Sequence, residues 1–426
     1  MGALTGKRLL VLGGSMWKEQ IKKFAEENGI VLIATGNNRN AGIFQISDEG
    51  YDVDSTDAEA MKALIRDQKI DGVYLGGSEP VISSACVYLR ELGLPCYTTA
   101  EQWAALQNKA NLKELYMENG LPVVPEYKVT EENIDTISVD YPVITKPVDG
   151  SGSNGFSVCH GLAELKKGFA LAKKVSFSGQ VLVEKFVPND SIVVIGRISD
   201  GRFRVCTVED KYPVRYEKQG SYVLGMLSLE SKKKQEFCDL YEEKIDRMLK
   251  SLGIQEGPIW IEVFLDGDRY CFNEIGFRYG GSVTIFPTQY FCGINEVGSD
   301  IYYALTGKSR LEGFCSILPE KIVGGKRYCI YALHLKPGKI AEIKGLEALR
   351  TEENVVAIPS SKAVGDTIPD SGSIYQVFGF VHFTYESTEE LKSMIEKIHS
   401  TLFFADENGN DLLNRMIDFD RIQFRQ

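Results

Sequence analysis

The chain has 426 residues, of which 43% are hydrophobic and 25% charged, an ordinary globular composition that suits roughly two to four domains. Its formal net charge of −11 excludes a broadly basic surface of the kind that binds nucleic acid or anionic lipid, so small-molecule chemistry is favoured. No apolar stretch reaches membrane-spanning length and the first apolar run, residues 9–12, is too short for a signal-peptide core, so we expect a cytoplasmic protein without membrane association.

Residues 7–97 alternate between strand and helix patterns. Apolar runs at 8–12, 30–34, 72–75 and 94–97 alternate with helical patterns at 17–28, 57–68 and 80–92. This alternation predicts a parallel sheet with right-handed crossovers, whose ligands would lie at the carboxyl ends of the strands. The turns at those ends contain the candidate substrate contacts Gly14, Ser15, Ser78 and Glu79. Backbone amides at helix N-termini could bind a substrate carboxylate there, and tight strand-to-helix geometry is the alternative explanation.

A dinucleotide-binding dehydrogenase would show the same alternation of strands and helices. Its first turn would carry G-x-G-x-x-G, whereas this chain has G-G-S-M-W at residues 13–17. Its second strand would end beside an acidic ribose ligand, whereas this one ends in A-T-G-N at residues 34–37. A nicotinamide cofactor is therefore not expected.

A helical pattern from Ala104 contains Lys109 and ends at Gly120. A short strand ending at Lys146 then leads into a loop rich in glycine and serine at residues 149–155. Such a loop lets backbone amides approach a polyphosphate while the lysine supplies a charge, but it lacks the P-loop pattern G-x-x-x-x-G-K-[ST]. A hairpin tip without a ligand is the alternative interpretation.

The strand pattern at residues 180–191 is interrupted by Pro188, which cannot donate to a sheet. If the edge of this strand is unpaired, its backbone could hold adenine. Two strands about Asp200 and Gly201 follow, and residues 231–252 then form an amphipathic helix that we assign to structure. Its predicted buried stripe consists of Phe237, Leu240, Tyr241, Ile245, Met248, Leu249 and Leu252.

Residues 260–282 predict a hairpin, because two β-branched and aromatic runs flank a D-G-D turn. Two carboxylates on its neighbouring strands, Glu262 and Glu274, could hold a divalent cation on phosphate oxygens, with Arg278 neutralising charge at the reacting centre. A two-residue turn would place the glutamates on opposite faces, so this function requires an odd loop, such as residues 266–268, or a β-bulge. The shared face would then hold Trp260, Glu262, Phe264, Phe272, Glu274, Gly276 and Arg278. A buried hairpin with ordinary ion pairs is the alternative.

The remainder of the chain predicts a helix at residues 296–306, short strands from residue 320 and a helix at about 388–402. The acidic turn at residues 406–411 lacks the glycine and glutamate positions of a calcium loop. The nine cysteines form no C-x-x-C pair and the four histidines show no metal-ligand spacing, so reduced thiols and no zinc site are expected.

Taken together and in this order, these elements resemble the ATP-grasp superfamily, in particular its carboxylate–amine ligases and carbamoyl-phosphate-synthase-like proteins. The most specific feature is I-E-V-F, whose glutamate is followed twelve residues on by the glutamate of N-E-I-G-F-R-Y-G-G-S. The resemblance implies a mixed fold with α/β and α+β parts. A Rossmann-like pre-ATP-grasp domain would span residues 1–103 and a two-part ATP-grasp domain residues 104–319, with a lid subdomain at about 125–190. A small α+β closing domain would span residues 320–426.

The resemblance also implies a role for individual residues. Lys109 and Lys146 match the two lysines near the phosphates and adenine, and residues 184–187 match the hinge whose backbone reads adenine. Glu262 and Glu274 match the magnesium ligands, for which Mn²⁺ is an alternative ion, and Arg278 matches the arginine that steadies the transferred phosphoryl group. The implied ATP-binding residues are Lys109, Lys146, Gly150, Ser151, Gly152, Ser153, Gly155, Glu184, Lys185, Phe186, Val187, Asp190 and Lys211.

Two positions depart from the family pattern. Many members carry an asparagine metal ligand two residues after the second glutamate, where this chain has Gly276. The family's ribose-binding glutamate falls at Ser191, so neighbouring Asp190 is the candidate substitute.

The function that the resemblance implies is an ATP-dependent ligase. It would activate a small-molecule carboxylate as an acyl phosphate and pass it to an amine, releasing ADP and phosphate. Its partners would be these small molecules and no nucleic acid. A homodimer is compatible with this function. Two alternatives stay open: a bicarbonate-using enzyme of the carboxyphosphate or carbamoyl-phosphate type, and an ATP-binding module without catalysis.

Overall fold

The computed structural model describes residues 2–149, 155–188, 191–217, 221–229, 231–310 and 326–416. Within these residues the chain forms an N-terminal parallel sheet, a small antiparallel sheet and a large antiparallel sheet. No helix in this described part is long and apolar enough to cross a lipid bilayer.

The N-terminal region is a four-stranded sheet in the order β3-β2-β1-β4, and every pair in it is parallel, as the alternating pattern predicts. Helix α4 begins directly after the Gly76-Gly77-Ser78 turn, so the carboxyl edge of this sheet carries Glu79. The elements are β1 (Arg8–Val11), α1 (Lys18–Asn28), β2 (Val31–Thr35), α2 (Gly42–Ile46), β3 (Glu49–Tyr51), α3 (Ala58–Asp67), β4 (Gly72–Tyr74) and α4 (Glu79–Leu92).

Two predictions for this region are wrong in detail. Residues 94–97 form no strand, because Leu94 N–H donates to Leu89 O in the turn that ends α4 and Pro95 has no N–H to give. The helix predicted from Ala104 is two helices, α5 (Ala100–Gln107) and α6 (Lys109–Glu118). Asn108 separates them, and its side chain caps α6 by accepting from the amides of Ala110 and Asn111.

The small sheet has the order β6-β5-β7 and is antiparallel throughout. Its elements are β5 (Val143–Pro147), β6 (Ser157–Cys159), α7 (Leu162–Val175) and β7 (Val181–Lys185). Helix α7 buries Leu165 and Phe169 against Val143 and Val183 of the strands, which gives this part its own small core.

The large sheet has eight strands in the order β12-β11-β8-β9-β10-β13-β18-β16. The C-terminal strands continue the sheet that carries the candidate site, since β13 pairs with β10. The division into three domains remains a proposal. The elements of the chain from residue 191 onwards, which include four short strands outside the large sheet, are β8 (Ser191–Ser199), β9 (Arg202–Tyr216), β10 (Ser221–Leu229), α8 (Lys234–Phe237), α9 (Glu243–Ser251), β11 (Gly257–Asp266), β12 (Arg269–Gly276), α10 (Ile285–Cys292), α11 (Glu296–Thr306), β13 (Arg327–His334), β14 (Gly338–Lys339), β15 (Glu342–Lys344), α12 (Leu346–Arg350), β16 (Val355–Ala357), β17 (Thr367–Ile368), β18 (Val377–Tyr385), α13 (Thr388–Thr401) and β19 (Phe403–Ala405).

The predicted amphipathic helix at residues 231–252 is formed by α8 and α9 with a π-helical turn, Cys238–Glu242, between them. This turn has a wider repeat than an α-helix and therefore rotates the following residues around the axis. Leu240 lies in the turn and is 46% exposed, so its predicted burial is wrong. Phe237, Ile245, Met248 and Leu249 are buried as predicted.

Candidate active site

The hairpin of β11 and β12 places Glu262 directly opposite Glu274. Its turn has two residues, because Asp266 pairs with Arg269, and Gly267 adopts a φ of 64° there. The odd loop is therefore not formed. A β-bulge supplies the shift instead, since Val263 pairs with Phe272 and leaves Asn273 as an extra residue. Both glutamates consequently share one face of the sheet, as a metal site requires.

The same bulge reverses the predicted face of Phe272. Side chains on β12 alternate between the two faces of the sheet, and the extra residue Asn273 reverses the phase of this alternation between the residues before it and those after it. Phe272 therefore faces the main core, where its ring lies 5.2 Å from that of Tyr116. Cys271 takes the place predicted for Phe272 and packs with Phe264 on the other face.

The two glutamates have different surroundings. Glu262 contacts Lys211 Nζ through Oε1 and accepts from Asn273 Nδ2 through Oε2, at 3.0 Å. Burial alone would raise the pKa of Glu262, but the ammonium of Lys211 overrides it and the pKa is lowered. Burial raises the pKa of Glu274, with Lys109 opposing the shift and Glu262 adding to it. A cation bound between these carboxylates would offset their repulsion.

Lys146 reaches the hairpin from strand β5. Its Nζ lies 2.6 Å from Glu184 Oε2 and 3.3 Å from Asn273 Oδ1. Lys113, which the sequence analysis did not select, holds the other oxygen of Glu184 at 2.6 Å. Burial alone would raise the pKa of Glu184, but Lys146 and Lys113 override it and the pKa is lowered. The signal for Lys113 was its position four residues after Lys109 on one helix, which puts both on one face.

Lys109 is the first residue of α6, and its backbone N–H donates to Val148 O at 3.4 Å, next to the glycine-rich loop. Burial lowers the pKa of its ammonium, and the nearby carboxylate of Glu274 opposes the shift. Lys146 adds to this lowering of the Lys109 pKa, because a second ammonium nearby disfavours the charged form.

Arg278 connects the hairpin to the N-terminal sheet. Its Nε and Nη2 both donate to Glu79 Oε1, at 3.0 and 2.6 Å, and its guanidinium carbon lies 5.4 Å from the centre of a Trp260 ring. A predicted substrate contact thus meets the predicted catalytic arginine, although 199 residues separate them in sequence. This contact brings the carboxylate of Glu79, from the start of α4, next to Arg278 at the end of the hairpin.

The other predicted substrate contacts lie on the turns beside this pair. Gly14 has a φ of 96°, and a Cβ there would lie 2.7 Å from Trp17 Nε1. Ser15 begins the 3-10 turn Ser15–Trp17, and the Trp17 ring lies 5.4 Å from that of Tyr279, the residue after Arg278. Ser78 is the residue before Glu79 and caps α4 without a side-chain hydrogen bond.

Several predicted ATP-binding residues fall outside the described residues: Gly150, Ser151, Gly152, Ser153 and Asp190. At the described ends of the loop, the Asp149 carboxylate accepts from the amides of Phe177 and Ser178, at 3.1 and 2.7 Å. Gly155 has a φ of 78°, which a side chain would strain.

The predicted adenine hinge at residues 184–187 consists of the last two residues of β7 and the two residues that follow it. Lys185 N–H donates to Pro125 O at 2.9 Å and Phe186 N–H to Pro142 O at 3.0 Å, so these two amides are already used. Lys185 Nζ also lies 2.6 Å from Asp266 Oδ2, at the end of β11. Adenine recognition by the hinge, including Val187, remains a proposal.

The described residues contain no group of three or more His, Cys, Asp or Glu side chains that could hold a metal ion alone. Two carboxylates on one face nevertheless fit Mg²⁺, which proteins commonly bind through one or two carboxylates together with substrate phosphates and water. The chemistry of Glu262 and Glu274 therefore suits a metal that arrives with a nucleotide.

Comparison with known proteins identifies the family of part of the chain and proteins that share its fold. Residues 114–288 match the family model described as the ATP-grasp domain. The formate-dependent phosphoribosylglycinamide formyltransferase of Mannheimia succiniciproducens is 25% identical over 295 residues, covering 65% of this chain and 70% of that protein. The protein of the same name from Prochlorococcus marinus strain MIT 9303 is 26% identical over 280 residues, covering 64% and 69%.

Solved structures share the fold at low sequence identity. The L-amino acid ligase from Bacillus licheniformis has a TM-score of 0.74 and 19% identity, covering 95% of this chain and all of that one (100%). The phosphoribosylglycinamide synthetase from Anaerococcus prevotii has a TM-score of 0.72 and 17% identity, covering 94% and 100%. The chain therefore contains an ATP-grasp domain at residues 114–288 and is an ATP-dependent enzyme that joins a carboxylate to an amine.

Proposed function

We propose that the enzyme activates a small carboxylic acid as an acyl phosphate at the face of the β11–β12 hairpin and then transfers the acyl group to an amine. The observation that carries the proposal is the pairing of Glu262 with Glu274 on one face, with Lys146 beside the pair. No histidine or cysteine nucleophile is needed, because positioning and charge neutralisation account for most of the catalysis of phosphoryl transfer.

In the first step, an oxygen of the acid attacks the γ-phosphorus of ATP and the bond from that phosphorus to ADP breaks. Lys109 and Lys146 hold phosphate oxygens, and Arg278 neutralises the charge that develops on the transferred group. Glu262 and Glu274 would hold Mg²⁺ or Mn²⁺, which supplies further neutralisation of the phosphate oxygens.

In the second step, the amine nitrogen attacks the acyl carbon, the carbon–oxygen bond to phosphate breaks and the amine loses a proton. Glu79 is our candidate for holding the amine, because its side chain is 32% exposed and only its Oε1 contacts Arg278 among the described contacts. A carboxylate in this place favours an acceptor whose amino group is cationic when it binds, and it could accept the proton that this group must lose before its nitrogen attacks.

The relatives guide the choice of acid. The formyltransferases above are named for formate and for phosphoribosylglycinamide. Formate and other short acids are therefore the first acids to test, and amines with a compact, polar body are the first acceptors. A reaction that depends on bicarbonate would instead support the carboxyphosphate alternative.

The test measures Mg²⁺-dependent ADP release across panels of short acids paired with amines. Hydroxylamine in place of the amine should trap the acyl phosphate as a hydroxamate of the acid that is used. Glu274→Gln should lower turnover by about 100-fold or more, because ligand loss removes metal-dependent charge stabilisation. Glu342→Gln, on an exposed residue of β15, is the matched control and should leave turnover unchanged.

Two results would contradict the proposal. Full turnover by Glu274→Gln would contradict the assignment of Glu274 as a metal ligand that the reaction needs. Tight ATP binding without ADP release for any pair of substrates would favour the alternative of a nucleotide-binding module without catalysis.

A further inference from the structure

The position two residues after Glu274 is closed to any side chain. A Cβ placed on Gly276 would lie 2.0 Å from Trp260 Nε1 and 2.2 Å from Trp260 Cε2, well inside van der Waals contact. The indole therefore fills the space that an asparagine at this position would need. An amide that helps to order the metal carboxylates must come from elsewhere in the chain.

The bulge brings such an amide to the same face. Asn273 is the extra residue of β12, immediately before Glu274 and beside the pair formed with Glu262. Its Nδ2 donates to Glu262 Oε2 at 3.0 Å, and its Oδ1 accepts from Lys146 Nζ at 3.3 Å. The side chain thus joins a carboxylate of the large sheet to a lysine of the small sheet.

The two neighbours determine which way the amide points. A carboxylate offers acceptors only and an ammonium offers donors only, so the NH₂ group must face Glu262 and the oxygen must face Lys146. An asparagine meets both demands with one planar group. An aspartate would offer Glu262 no donor and would place a like charge beside it.

We propose that Asn273 is a positioning residue that holds Glu262 in its metal-binding orientation and aligns Lys146 with it. This inference rests on the proposed function, because it assumes that Glu262 binds a nucleotide-associated cation. Lys211 contacts Glu262 Oε1 and Asn273 donates to Glu262 Oε2, so the two partners together fix the plane of the carboxylate. Partners of this kind orient metal ligands and commonly affect metal affinity by about 10- to 100-fold.

Lys146 keeps a second anchor when Asn273 is removed, since Glu184 lies 2.6 Å from its Nζ. Truncation of Asn273 should therefore disturb Glu262 more than Lys146. Binding of the nucleotide without metal, which depends on the lysines, should change little, whereas binding of the metal should weaken.

The experiment compares Asn273→Ala with wild type in the full-length protein. Mn²⁺ affinity is measured by electron paramagnetic resonance in the presence of saturating ADP, and ADP affinity is measured separately by calorimetry in the presence of EDTA. The dissociation constant for Mn²⁺ should rise about 10-fold or more, and that for metal-free ADP should change less than about 2-fold. Asn119→Ala is the control, because its amide bonds the backbone at the end of α6, at Leu115 O.

Three outcomes would overturn the inference. An unchanged Mn²⁺ affinity would show that Asn273 does not orient Glu262, and equal losses for Mn²⁺ and metal-free ADP would indicate a general structural role. If wild type itself binds ADP but no Mn²⁺ with it, the proposed metal site fails and this inference with it. Asn273→Ser, which is smaller but keeps a hydroxyl donor, should show an intermediate Mn²⁺ affinity and serves if the alanine variant does not fold.

Discussion

At the scale of single residues, the indole of Trp260 fills the space beside Gly276, so this position accepts a side chain only if the indole is absent. We expect Gly276→Ala to lower the free energy of unfolding by about 1–3 kcal/mol, because the added methyl group overlaps the indole. The same substitution in a Trp260→Leu background should cost much less, since the overlapping ring is gone. Urea unfolding of the four proteins in this double-mutant cycle gives the coupling energy. An equal cost in both backgrounds would assign the penalty to the backbone of β12 instead.

At the scale of elements, the buried contact of Lys113 with Glu184 joins helix α6 to strand β7. Both side chains are almost fully buried, with exposed fractions of 8% and 5%. Lys113→Met should destabilise the protein by about 3–5 kcal/mol, because it leaves Glu184 with one ammonium instead of two in a buried site.

The matched comparison is the double variant Lys113→Met with Glu184→Gln, which removes the carboxylate that has lost one of its two ammonium partners. It should recover part of the stability lost by the single change, as measured by urea unfolding. Stability of the double variant below that of Lys113→Met would mean that packing or the remaining pair of Glu184 with Lys146 outweighs the lost partner.

The sequence predicted those elements whose hydrophobic period is long and regular. The parallel N-terminal strands, the helix at residues 296–306 and the paired glutamates all follow from such patterns. The spacing of the two glutamates predicted that the hairpin needs a register shift, but it did not indicate whether an odd loop or a β-bulge provides that shift. An odd loop and a bulge both fit the same number of residues between the two glutamates. Which of them forms depends on how β12 packs on the rest of the molecule. Asn273 was overlooked for that reason.

Contacts between distant elements were beyond the sequence pattern. Glu79 was selected because it follows a strand of the N-terminal sheet, and nothing in its surroundings in sequence indicates Arg278. The continuation of the large sheet into β13 and β18 was also missed, because short strands far apart in sequence carry no mark of which sheet they join. The same limit applies to the π-helical turn that exposes Leu240.

At the scale of the whole molecule, a buried ionic cluster joins the large sheet to the helix that packs on the N-terminal sheet. Arg197 of β8 is 0% exposed and lies 2.8 Å from Glu256, with Asp300 and Glu296 of α11 around it. Tyr279, next to Arg278, donates its hydroxyl to Asp300. One guanidinium therefore faces three carboxyl groups, and the cluster connects to the candidate site through Tyr279, the residue after Arg278.

Glu296 makes this cluster sensitive to pH. Burial raises its pKa from 4.5 to about 7, with Arg197 opposing the shift and Asp300 adding to it. Between these values the folded protein binds a proton that the unfolded chain has released, so the contribution of Glu296 to stability is largest below pH 4.5 and falls as pH rises towards 7. Glu296→Gln should remove this fall, because the amide stays neutral at every pH.

The expected result is a difference in unfolding free energy, variant minus wild type, that increases from pH 5 to pH 7.5 in urea titrations. Taking the difference cancels the other titrating carboxyl groups, including Glu184 and Glu262, whose lowered pKa values add stability as pH rises. Ser393→Ala, on the exposed side of α13, changes no titrating group and should give a difference that is flat over the same range. A flat difference for Glu296→Gln as well would mean that Arg197 keeps Glu296 ionised in the folded protein, and that its charge is fully compensated inside the cluster.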